Sequence, residues 1–172
     1  MSQPIGLTQA NQMDREAFAA AFGSVFEHFP QAAGDAWAHR PFASAGDLHA
    51  AMMDVVRKLD DAGQRAFLNL HPPLSGRAIR ANTMTADSSA EQKSAGLDNL
   101  SAGQEGQLDR LNAEYLARHG FPFIVCVRHY TREGIFAQFE RRLGRSTAQE
   151  QEEALAQIAA ITRGRLAARL AG

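Results

Sequence analysis

Residues 121–128 read Phe-Pro-Phe-Ile-Val-Cys-Val-Arg, and this stretch decides the fold class. It is short, apolar and rich in β-branched side chains, which is the composition of a buried strand. A strand needs a partner, because one strand alone makes no sheet. No second segment of the same kind occurs in the chain. The segment is therefore expected to run extended between helices. The fold expected is all-α: a single-domain helical bundle over residues 1–172, with one short extended segment near 121–128.

The flanking sequence carries a helical period on both sides. Leu48, Met52, Val55, Val56 and Leu59 recur at spacings of three and four and give one apolar stripe, with Ser44 placed to cap it. Leu108, Leu111, Tyr115 and Leu116 give a second, and Ser101 with Gln104 stands before it at capping-box spacing. Ile135, Phe139 and Leu143 predict a third helix. A closing helix is expected over residues 147–170, with Leu155, Ile158, Ala159, Ile161, Leu166 and Leu170 on its stripe and Thr147–Glu150 as its capping box. Residues 76–87, Gly-Arg-Ala-Ile-Arg-Ala-Asn-Thr-Met-Thr-Ala-Asp, show no sustained apolar period. They predict a long functional loop, placed to close over a bound substrate.

Composition removes several classes of function. The chain is 45% hydrophobic and 22% charged with net charge −1, so no global field is available to hold a polyanion or a membrane surface. Basic residues gather at Arg141, Arg142 and Arg145, and a solvated helix face is the expected reading, with no nucleic-acid partner. The lone cysteine, Cys126, excludes an internal disulfide and is expected to be an inert buried thiol. The polar start, Met-Ser-Gln-Pro, has no signal core, no apolar run reaches membrane-spanning length, and the closing Arg-Leu-Ala-Gly is no peroxisomal address. A cytoplasmic location is expected. There is no Gly-rich phosphate loop, no HExxH and no GxSxG, and the histidines show no metal-ligand spacing. These gaps disfavour nucleotide, zinc and α/β-hydrolase chemistry. What is left is acid/base chemistry without a cofactor, or no chemistry.

His71 is the first candidate for such chemistry. It follows Phe-Leu-Asn-Leu and precedes Pro72 and Pro73, so it should stand near a helix end at the edge of a loop. A histidine there can cap terminal carbonyls, or it can take and return a proton near neutral pH. Ser88-x-x-Glu91 reads as a capping box. Arg165 lies on the shoulder of the last helix's apolar face, where a snorkelling surface arginine and a carboxylate-binding fork are both open. Arg128 reads as structural.

Four segments, in order, resemble the OHCU decarboxylases, in full the 2-oxo-4-hydroxy-4-carboxy-5-ureidoimidazoline decarboxylases. They are Phe-Ala-Ala-Ala-Phe-Gly-Ser-Val-Phe-Glu-His-Phe-Pro at 18–30 with Arg-Pro-Phe at 40–42, then His-Pro-Pro-Leu at 71–74 followed by Gly76. Ser-Ser-Ala-Glu-Gln at 88–92 with Ala-Gly-Leu at 95–97 is the third, and Leu111-Asn112-x-x-Tyr115 with Gly-Phe-Pro-Phe-Ile-Val-Cys-Val-Arg at 120–128 is the fourth. The closing Arg165-Leu166 also fits. Two departures occur: Gln31 stands where the family has a tryptophan, and Pro73 where it has an acidic residue.

The resemblance implies an all-α homodimer that acts without metal or organic cofactor in urate catabolism. The implied reaction decarboxylates OHCU to (S)-allantoin. It assigns His71 as the acid/base residue and brings Glu91 into the catalytic set, either holding ureido N–H groups or orienting His71. It places Pro72, Ser88, Ser89, Ala90, Gln92, Phe123, Ile124, Val125, Cys126, Val127 and Arg165 at the substrate. For Phe123 to Val127 the contact would come partly from main-chain groups left free by the absence of a partner strand. Two other functions are weighed. A non-catalytic helical interaction module has no need of His71, Ser88, Glu91 and Gln92 together. A cofactor-free hydrolase of a ureido acid would use the same residues.

Overall fold

The computed structural model describes residues 4–171. The sequence readings of the first three residues and of the terminal glycine fall outside them. The described residues form helices, and their sole β-type pairing is an isolated bridge between Ile5 and Leu170. The all-α expectation holds. No helix among the described residues is long and apolar enough to cross a membrane. Chain contacts divide the molecule into two units, one of residues up to Leu70 with Ala159 onward, the other His71–Ile158.

The first unit holds α1 (Leu7–Gln12), α2 (Arg15–Phe22), α3 (Gln31–Ala36), α4 (Ala45–Arg57), α5 (Asp61–Leu68) and the second part of α10 (Thr147–Arg169). Ser44 caps α4 as expected, its hydroxyl accepting from the Asp47 amide. Asp14 and Asp60 cap α2 and α5 in the same way. The α4 stripe is half right: Leu48, Met52 and Val56 are buried, while Val55 and Leu59 are only partly so. The core gathers Phe18, Phe22, Phe26, Leu48, Met52 and Phe67. Gln31, the departure from the family's tryptophan, opens α3 at the surface and donates to Asp35.

His49 is buried in this unit, with Nε2 2.8 Å from Thr162 Oγ1. Burial, with the charge of Arg163 adding to it, lowers its pKa from the ordinary value. The unfolded chain then binds more protons than the folded one as pH falls below about 6.5. Stability is therefore full above that pH and declines on acidification. His49→Gln should make urea-unfolding stability fall less steeply between pH 7 and pH 5 than it does in the parent. An unchanged slope would contradict the assignment.

The second unit holds α6 (Gly76–Arg80), α7 (Ala86–Ser94), α8 (Ala102–His119), α9 (Arg132–Leu143) and the first part of α10. The capping box of Ser101 and Gln104 is present on α8, which ends at Gly120 in the left-handed region (φ 78°). Along the α8 stripe Leu108, Leu111 and Tyr115 are buried, but Leu116 is 49% exposed. The core is aromatic. Phe123 stacks on Phe139 with ring centroids 3.8 Å apart, and Tyr115 meets both rings edge-on.

Three expectations are corrected here. Residues 76–87 are not one loop, because Gly76–Arg80 is helical and Ala86 begins α7. Ser75 caps α6 at the Ala78 amide. The helix closes with Asn82 in the left-handed region (φ 54°), its amide bonded to Ile79 O and that of Thr83 to Ala78 O. That pairing is a Schellman closure with asparagine in place of glycine. Gly76 is required for packing, since a Cβ there would stand 2.3 Å from Leu97 O. Within 76–87, irregular chain is thus confined to residues 81–85.

The second correction moves the cap of α10 back by one residue. Ser146 and Gln149 exchange the two capping-box bonds, and Glu150 turns inward. The third concerns the basic cluster. Arg142 is not on a solvated face: it is 1% exposed and paired with Glu150.

Candidate active site

His71 opens the second unit and stands in irregular chain after α5 has ended at Leu68. Two successive prolines forbid helix there, so the stretch to Ser75 runs without regular structure. The imidazole is half-buried, with Nδ1 shielded from solvent. Side chains from two helices fasten the loop that follows. Gln92 of α7, 4% exposed, accepts from the Ser75 amide at 3.0 Å and donates to Pro73 O at 3.4 Å. Asn112 of α8 donates to Leu74 O at 2.8 Å. Pro73, the second departure from the family pattern, is exposed and contributes its carbonyl to that clamp.

Helix α7 carries the next group. Its cap is Thr85, whose hydroxyl accepts from the Ser88 amide, so the capping box expected of Ser88 and Glu91 is not formed. Ser88 lies inside the first turn instead. Ser88, Glu91 and Gln92 stand at i, i+3 and i+4, on one face of the helix. Ser88 and Gln92 are buried, Ser89 and Glu91 are half-buried, and Ala90 is exposed. The helix packs against the single 3₁₀ turn Val127–His129 that ends the extended segment. Glu91 comes near enough to that segment for its carboxylate to act on Cys126. Burial first, and Glu91 with it, push the Cys126 thiol up from its ordinary pKa. A thiol held protonated is no nucleophile, which agrees with the inert reading.

Residues 121–126 carry no regular secondary structure, and among the described residues they have no partner strand. Side chains take the place of that strand. Arg142 Nη1 donates to Ile124 O at 2.8 Å, and the Cys126 amide donates to Gln157 Oε1 at 2.9 Å. The Val125 backbone makes no hydrogen bond to any described residue. Phe123 to Val127 are all buried by their side chains, and the plain packing role allowed for them is therefore real.

The second unit thus joins the His71 loop to α7 through Gln92, and α7 to the extended wall through the Val127–His129 turn. Arg165 belongs to the first unit. It is 7% exposed, so the snorkelling reading fails, and its Nη1 donates to Glu27 Oε2 at 2.8 Å. Sequence reasoning missed three groups. Glu27 lay inside a quoted motif and Asn112 inside another, but neither had an assigned partner. Gln157 carries no local signal, being a polar position on a long helix.

Known proteins of similar sequence and structure give this geometry a context. The OHCU decarboxylase family matches residues 11–167. The 2-oxo-4-hydroxy-4-carboxy-5-ureidoimidazoline decarboxylase of Amia calva is 39% identical over 160 residues, covering 93% of this chain and 91% of its own. The enzyme of that name from Haloferax volcanii is 39% identical over 163 residues, covering 95% of each. Among solved structures, an (S)-allantoin synthase superposes with a TM-score of 0.77 at 22% identity over 98% of this chain, which spans 54% of that protein. An OHCU decarboxylase solved in the presence of (S)-allantoin gives a TM-score of 0.64 at 18% identity over 91% of this chain and 97% of its own. At those identities the two structures speak for the fold alone, whereas the match along nearly the whole sequence leads further: this chain belongs to the OHCU decarboxylase family.

Proposed function

We propose that this protein decarboxylates OHCU to (S)-allantoin, with His71 as general acid/base. The observation that carries the reading is the family match over residues 11–167. The bond between the ring carbon and its carboxylate breaks, and carbon dioxide leaves. The electron pair left on the ring carbon is taken up by the adjacent C=N bond of the substrate itself. No outside electron sink is required, so the chemistry needs neither metal nor organic cofactor. What remains for the protein is to hold the substrate and to return one proton on one face.

The residues proposed for that task are those the family likeness names, and the arrangement in the second unit supports most of them. His71, on a loop fastened at three backbone positions, exchanges the proton. Pro72 beside it forms a wall. Glu91 takes part from the face of α7, either holding the ureido N–H groups or orienting His71. Ser88, Ser89 and Ala90 lie toward the N-terminal end of α7, whose dipole favours an anionic substrate. The unbonded N–H and C=O of Val125 suit the urea edge of the ring, with Phe123, Ile124, Cys126 and Val127 around them. Gln92 serves chiefly to hold the His71 loop, since both of its polar atoms are engaged there. Arg165 is assigned, on family likeness, to the substrate carboxylate or ureido oxygen. A cytoplasmic homodimer belongs to the same reading.

The test uses OHCU generated in place from urate. Added protein should speed its decay and give enantiopure (S)-allantoin, followed by optical activity. Spontaneous decay gives racemic product, so a racemic outcome at the uncatalysed rate would overturn the proposal. A ureido-acid hydrolase would instead add water across an amide bond and give no excess of (S)-allantoin over the racemic background.

A further inference from the structure

In an extended chain the N–H and C=O of successive residues point to opposite sides. Two pins, two residues apart, therefore fix the direction of the peptide groups between them. Val125 has such a pin on the residue at each side of it. The Ile124 carbonyl is held by Arg142 Nη1 at 2.8 Å, and the Cys126 amide by Gln157 Oε1 at 2.9 Å. Both pins come from the second unit's own helices, Arg142 from α9 and Gln157 from α10. Val125 lies between them, and no described residue bonds its own N–H and C=O.

The pins are themselves held. Arg142 Nε donates to Glu150 Oε1 at 2.8 Å, and its guanidinium lies over the Phe123 ring, 4.4 Å from the centroid. Glu150 also accepts from Tyr115 Oη at 2.7 Å. Gln157 is tied on its amide side to Glu153 Oε1 at 2.8 Å. A carbonyl or amide of an unpaired segment would otherwise turn toward water or toward a neighbour as chance allows. Here each is bonded by a side chain that is itself held.

We propose that Arg142 and Gln157 are positioning residues for the substrate. They take the place of a partner strand on the buried side of the wall and so aim the Val125 peptide groups at the substrate. This rests on the function proposed above. It predicts that loosening a pin weakens substrate binding more than it slows turnover, because an interaction made equally in ground and transition state appears in KM.

Gln157 is the better pin to test, being only half-buried, so its replacement is not expected to unfold the chain. Gln157→Met keeps the length of the side chain and removes the acceptor. It should raise KM for OHCU about tenfold, the weight of one well-placed hydrogen bond, with kcat close to the parent value. The paired change Glu153→Gln with Gln157→Glu swaps the two groups and keeps both hydrogen bonds, and it should bring KM back near the parent. A merely structural role would give no such rescue and no split between KM and kcat. Amide hydrogen exchange without substrate gives an independent readout. The Cys126 amide should exchange faster in Gln157→Met and at the parent rate in the swap. An unchanged KM in Gln157→Met, or equal Cys126 exchange in all three proteins, would overturn the proposal. A parent chain that does not turn over OHCU would overturn the function instead, and the exchange rates would still judge the pin.

Discussion

His71→Asn should fold like the parent and lose catalysis by about 10²–10⁴-fold, the usual contribution of proton transfer by one positioned side chain. The fold should survive because the imidazole is half-buried in irregular chain, and Gln92 and Asn112 hold the loop after it. Whatever allantoin forms in the variant should approach the racemic product of spontaneous decay. Were His71 only a helix-end group, the change would cost about 1 kcal/mol of stability and leave turnover nearly intact. A folded His71→Asn that still makes (S)-allantoin at close to the parent rate would move the proton chemistry elsewhere, and Glu91 of α7 would be the first residue to test.

Glu150→Ala should be the most damaging change to stability. Glu150 is fully buried and takes a hydrogen bond from Tyr115 and another from Arg142, with Arg145 Nη1 at 3.1 Å from its second oxygen. The same surroundings hold the Tyr115 hydroxyl protonated: burial, then the Glu150 carboxylate, raise its pKa far above the ordinary value. Alanine would leave the Arg142 guanidinium buried without its counter-charge. Removing one member of a buried pair costs about 3–5 kcal/mol, against a total stability of about 5–15 kcal/mol for a typical domain. Chemical denaturation of Glu150→Ala should show a loss of that order. The double change Arg142→Met with Glu150→Ala should recover part of it, since no lone charge then remains buried. A single-variant loss below about 1 kcal/mol would mean that water reaches the pair.

The elements legible in the sequence were those governed by local rules. Ser44, and Ser101 with Gln104, cap where a short polar side chain precedes an apolar period, and the structure shows both caps. The lack of a partner for 121–128 was enough to fix the class. Errors arose where two local rules competed. Thr85 and Ser88 can both cap a helix beginning near residue 86, as Ser146 and Thr147 can for α10, and composition does not choose between neighbours. Helix α6 is too short to show a period, although Ser75 before it and Asn82 after it were the available signals.

Long-range partners lay beyond any such reading. Glu27 meets Arg165 across 138 positions of sequence, and Arg142 meets Ile124 only because α9 packs beside the wall. A run of arginines reads as solvated until the carboxylate that buries one of them is known. Of the candidate site, the family likeness supplied the residues, and the structure showed how Gln92, Asn112, Arg142 and Gln157 hold the segments that carry them.

The proposed function requires the His71 loop, the face of α7 and the Val125 wall to form one substrate site. Titration of isotope-labelled protein with (S)-allantoin, followed by NMR, tests it most directly. The His71 ring and the Val125 amide should shift together and saturate at one concentration, while His39, which lines an open groove between α3 and α4 in the first unit, stays unmoved. Shifts at His39 and that groove, with His71 and Val125 unchanged, would contradict the account.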